Sequence, residues 1–180
     1  AAMSFSWRRV AAITVKELRD YRRNRFVMIF TLAVLPLIFI VAPTLQLLTA
    51  PAVTASSKLD ARVGIALLYL LLIPAIVPST LSAYSVVGER EQGTLEPILI
   101  TPIRSEEFLL GKALAVIIPT LAIAYTIFGI FLVVAALFAH PGIASAIFSG
   151  SHIPVQLVFT PFLAGWSIWV GIAISSRSSD

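Results

Sequence analysis

An all-α integral membrane protein is the fold class this sequence predicts, and three observations predict it. Hydrophobic residues make up 58% of the 180 positions and charged residues only 12%, with a mean hydropathy of +0.96; soluble domains carry about 25% charged residues. The stretches Phe26–Pro51, Val63–Gly88 and Ala113–Ser176 contain no Asp, Glu, Lys or Arg. A crossing needs roughly 20 apolar residues, so the first two stretches each allow one span and the third allows two. His140-Pro141-Gly142 and the segment Ser149 to His152 divide that third stretch near its middle. Four spans result, at 26–48, 63–87, 113–139 and 153–174, in a single transmembrane domain over 1–180. The third observation is where the charges sit.

Seven Lys/Arg precede the first span: Arg8, Arg9, Lys16, Arg19, Arg22, Arg23 and Arg25. Lys58 and Arg62 follow it, Arg90, Arg104 and Lys112 lie between the second and third, and Arg177 follows the fourth. With the N-terminus in the cytoplasm, eleven of the 13 basic residues fall inside and two outside, the arrangement that the positive-inside rule favours. A cleaved signal peptide is the competing reading of the first run. That run exceeds the 7–15 residues of a signal core, however, and its basic lead is long.

Residues 5–25 read as an amphipathic helix. At 100° per residue, Val10, Tyr21, Thr14, Trp7, Leu18 and Ala11 share an arc of about 100°, with Arg8, Arg9, Lys16, Arg19 and Arg23 on the other side. Such a helix suits the headgroup plane, its apolar face toward lipid and its basic residues on phosphates. The same basic lead could touch nucleic acid, but beside a membrane span anionic lipid is the simpler partner and nucleic acid is not expected. The links at 49–62 and 139–152 read as outer loops. Pro36, Pro43, Pro74, Pro78, Pro119, Pro154 and Pro161 stud the spans, as hinges or as the ordinary proline content of membrane helices.

Several chemistries lack their residues. No Asp, Glu, Lys or Arg sits within a span to hold a coupling ion. Cysteine is absent, and His140 and His152 lack a third metal ligand at suitable spacing. Gly111-Lys112 resembles the end of a phosphate loop, but Glu106 stands where the first glycine is needed and Ala113 where Ser/Thr is needed. No nucleophile has a base, so the chain is not expected to be an enzyme, and it binds no cofactor that the residues point to.

The densest polar stretch is 88–112, which holds five of the nine acidic residues. Gly88 is expected to end the second span, with Glu89, Arg90 and Glu91 at the water boundary. Gly93 and Thr94 start a short helix on which Leu95, Ile98 and Leu99 form one apolar stripe beside Glu96. Thr101-Pro102 stops it, and Ser105 is placed to cap the next helix, with Glu106 and Glu107 in its first turn. An apolar ridge flanked by charge suits a groove on a soluble partner.

This stretch resembles the signature of ABC type-2 transporter permeases, the membrane subunits of ATP-binding-cassette exporters. The matching residues are Glu89-Arg90-Glu91, Gly93-Thr94-Leu95-Glu96, Ile98-Leu99, Thr101-Pro102 and Gly111-Lys112. Lys16-Glu17-Leu18-Arg19 resembles the family's elbow helix. The resemblance implies a coupling helix formed by Glu89 to Leu99, an elbow helix over 7–25, and a homo- or heterodimer of permeases. It also implies cytoplasmic ATPase subunits that bind ATP and Mg, and a prokaryotic plasma membrane. Family members have six spans, so the chain is expected to be incomplete at its C-terminus. The resulting expectation is the permease subunit of an ATP-driven exporter of an unidentified substrate. The alternative is a four-span membrane anchor or assembly factor whose cytoplasmic loop binds a partner.

Overall fold

A computed structural model of the chain describes residues 5–25, 29–49, 56–91 and 104–177. These residues are helical almost throughout, with no strand among them. Helix α1 spans Trp7–Arg23. A π-helical turn, Phe30–Val34, leads into α2, Leu35–Leu48. Then come α3 at Ser56–Glu91, α4 at Ser105–Phe138, α5 at Pro141–Ser149 and α6 at His152–Arg177.

By length and composition α3, α4 and α6 can cross a membrane. Helix α2 is shorter, but with the π turn before it the chain is helical from residue 29 to 48, a length of about 30 Å and enough for a fourth crossing. The π turn has a local cause. Pro36 has no N–H to continue the ladder and its ring crowds the preceding carbonyls, and a widened turn relieves the crowding. The Leu35 N–H accordingly reaches back to the Phe30 carbonyl.

Helix α3 is the centre of the bundle and packs against α2, α4, α5 and α6. Its inward face repeats at helical spacing: Val63, Ala66, Leu67, Leu70, Ile73, Val77 and Leu81 are all buried. The most extensive pairing is α3 with α6, and small residues make it close. A Cβ on Gly171 would meet Ser82 Cβ at 3.0 Å and Ser79 Cα at 3.5 Å. Ala164 and Ser167 continue that seam, both buried. Without a hydrophobic drive between helices inside lipid, such close approach and interhelical hydrogen bonds supply the association.

Near three of the helical prolines a hydroxyl donates to a carbonyl one turn back. Ser79 Oγ donates to the Ala75 carbonyl at 3.2 Å, three residues before Pro78. Ser167 Oγ from α6 donates to the same carbonyl and lies 2.6 Å from Ser79 Oγ. In α4, Thr120 Oγ1 donates to the Val116 carbonyl at 2.8 Å, three residues before Pro119. Pro161 deprives the Leu157 carbonyl of its usual partner four residues on, and Tyr125 Oη from α4 donates to it at 3.0 Å. The Thr44 hydroxyl beside Pro43 is buried and has no partner among the described residues.

Three expected boundaries differ. Helix α3 runs through Gly88 to Glu91, because one helical glycine costs only about 1 kcal/mol and does not by itself stop a helix. At its other end α3 already begins at Ser56, inside the stretch read as an outer loop. The second outer link contains α5, with Pro141 at its first position and Ile143 and Ile147 buried one turn apart.

Candidate functional site

Helix α1 meets the start of α4, bringing the basic N-terminal helix to the end of the bundle where α4 begins. The pairing follows from the sequence of both helices. Val10, Thr14, Glu17 and Tyr21 are buried, at the i, i+4, i+7, i+11 spacing of one helix face. Their counterpart is the first two turns of α4, where Glu107, Gly111 and Lys112 are buried. Gly111 lets the two helices touch: a Cβ there would lie 2.7 Å from Ile13 Cγ2, 2.8 Å from Ile13 Cβ and 3.2 Å from the Val10 carbonyl oxygen. Thr14 Oγ1 bridges the crossing, donating at 2.9 Å to the Val10 carbonyl and at 3.1 Å to the Gly111 carbonyl.

Glu107 is the node of this junction and is wholly inaccessible to solvent. Its Oε1 accepts from the Ser6 N–H at 2.7 Å and pairs with the Arg9 guanidinium at 3.1 Å. Its Oε2 accepts from the Arg104 N–H at 3.3 Å. Burial alone pushes a carboxyl up. The two backbone N–H donors and the charges of Arg9 and Arg104 outweigh it, holding Glu107 below the ordinary value of 4.5. One carboxylate thus ties together the start of α1, the start of α4 and the end of the segment between α3 and α4.

The helix start differs from the expected one. Arg104, not Ser105, is the N-cap residue, with extended backbone. A cap at Arg104 sets Glu107 at the third helical position, from which its carboxylate reaches back to the capping N–H. A cap at Ser105 would have put Phe108 there. Lys112 Nζ stands 5.0 Å from the centroid of Phe108, one turn away, so its charge is held against an aromatic face.

The expected interfacial residues divide among three sides of α1. Val10, Thr14, Tyr21 and Glu17 face α4. Val10, Thr14 and Tyr21 of the apolar arc therefore meet protein where lipid was expected, while Trp7 and Ala11 of the same arc are left exposed. Val15 is exposed as well, with Arg8, Arg19 and Arg23 exposed on the far side. Lys16 pairs with Glu17 at 3.4 Å and lies 3.9 Å from Asp20. Arg9 is turned inward, to Glu107. Of the expected coupling residues, Glu89, Arg90 and Glu91 form the last turn of α3, and their side chains fall outside what is described. Gly93, Thr94, Leu95, Glu96, Ile98 and Leu99 lie outside the described residues altogether.

Among the described residues, no three His, Cys, Asp or Glu side chains converge as a metal site would require. Sequence reasoning passed over Glu107, Thr14 and Gly111 as junction residues. The family described as ABC-2 family transporter protein matches residues 11–180. No curated protein and no solved structure matches the chain.

Proposed function

Since the chain belongs to the ABC-2 family of transporter proteins, whose members are membrane components of transporters, we propose that it is the permease subunit of an ATP-driven exporter. Family membership favours this reading over a four-span anchor. Export of a substrate yet to be identified, from the cytoplasm of a prokaryotic cell, is the direction proposed. The motor is a separate ATPase subunit that holds ATP and Mg, and a second permease copy completes the path.

The observation that carries the coupling role is the Glu107 junction. The segment from residue 92 to 103 is bounded by the end of α3 and by a capped, cross-braced start of α4. A push on that segment reaches α4 directly, and α1 through Glu107, Thr14 and Gly111. Among the described residues 29–49, 63–82 and 113–176 no charged side chain occurs, so energy enters best at this polar end. The weight of basic residues at the N-terminus supports its cytoplasmic placement.

The test is co-purification of the chain with the ATP-binding subunit proposed as its motor. Reversing Glu89 and Glu91 to Lys is expected to abolish the association while the permease still inserts in the membrane. Association at the unaltered level would sink the docking assignment.

A further inference from the structure

Helix α1 has a second face that no part of the described protein covers. At 100° per residue, Arg8, Ala12, Arg19 and Arg23 stand opposite the face buried on α4. They line an open groove on which Ala11, Ala12 and Val15 form the apolar side. Val15 is 55% exposed there, and Trp7 67% exposed at the head of the helix. The cations along this groove are unequal. Lys16 is occupied by Glu17 and Asp20. Arg8, Arg19 and Arg23 make no ion pair with a described residue.

We propose that this groove is a binding site for anionic phospholipid headgroups, with Arg19 and Arg23 clasping one phosphodiester and Arg8 a second. Arg19 and Arg23 are one turn apart, about 6 Å along the axis, a span that one phosphate bridges. Arg8 is eleven residues from Arg19, about 16 Å away, so it serves a neighbouring lipid. Guanidinium forks match phosphate oxygens in geometry as well as charge. An acidic protein surface would satisfy the arginines equally. It would not account for the exposed Trp7, Ala11 and Val15 beside them, nor for a helix that ends a few residues before the first span begins. Apolar surface alternating with unpaired arginine, at the edge of the hydrocarbon, matches the headgroup layer. The site stands independently of the transport role.

Trp7 provides the reporter, because Trp166 and Trp169 are the other two tryptophans and both are exposed. The full chain carrying W166F and W169F is reconstituted in phosphatidylcholine vesicles. Headgroup-nitroxide phosphatidylglycerol or headgroup-nitroxide phosphatidylcholine is added at equal mole fraction. Phosphatidylglycerol is expected to quench Trp7 more strongly, with each arginine contributing about fivefold to local enrichment. The preference should vanish in R8Q/R19Q/R23Q with helical circular dichroism unchanged, and survive in the triple lysine variant. Equal quenching by the two lipids overturns the proposal, as does a preference that persists in the triple glutamine variant. A preference erased by millimolar inorganic phosphate reassigns the site to the free anion. Trp7 unquenched by either lipid turns the face toward protein instead, and equally overturns it.

Discussion

A fully buried carboxylate is normally expensive, and Glu107 survives as an anion because three groups reach it. Two are backbone N–H groups fixed by their own helix starts, and one is the Arg9 guanidinium. Since its pKa is lowered in the native state, the stability it confers is fully present above the ordinary glutamate value of 4.5. It is lost only as pH falls through the depressed native value. Docking of α1 is therefore expected to hold through neutral and mildly acidic pH and to fail only in stronger acid. Amide exchange across α1 is the measurement. E107Q should raise that exchange at neutral pH and remove its acid dependence. An unchanged acid limb in E107Q would mean that another group is responsible. The role of Glu107 was not legible from its neighbours. An acidic residue in a first helical turn is commonplace, and its burial depends on Ser6 and Arg9, about a hundred residues away in sequence.

At the scale of helices, Pro78, Pro119 and Pro161 each lie close to a carbonyl that accepts from a hydroxyl. Tyr125 is the clearest case, because its donor comes from α4 and its acceptor, the Leu157 carbonyl, is left over by Pro161 in α6. Y125F removes one interhelical hydrogen bond and keeps the ring. It is expected to lower resistance to unfolding in detergent by about 1 kcal/mol. A loss near zero would indicate that water or lipid already serves that carbonyl. The helices themselves were legible from charge-free runs, since crossing length is a strong constraint. Helix α5 was missed because Gly142 and the serines read as loop, although Pro141 and the Ile143/Ile147 pair marked a helix. Periodicity found the buried face of α1. It could not say whether protein or lipid covers it, because both accept Val10 and Tyr21.

Taken as a whole, the molecule has a densely charged end and a sparsely charged one, where Lys58, Asp60 and Arg62 stand at the start of α3. At the first lie α1, Glu107, Arg104 and Lys112; at the other lies α5, with α3 starting nearby at Ser56. The proposed cytoplasmic placement of the charged end can be checked directly, since the sequence has no cysteine to interfere. S105C and S145C, both at exposed positions, mark the two ends. An impermeant maleimide is expected to label S145C in intact cells and S105C only after permeabilisation. The reverse pattern would invert the proposed orientation.

The Tyr125–Leu157 contact also bears on how the chain is made. A ribosome delivers α4 before α6, so the donor phenol is in place before the kinked segment leaves the insertion machinery. When Pro161 enters, its abandoned carbonyl finds Tyr125 waiting in an earlier helix. Order of synthesis and order of assembly then coincide, and the Pro161 span has no need to linger half-satisfied in the bilayer.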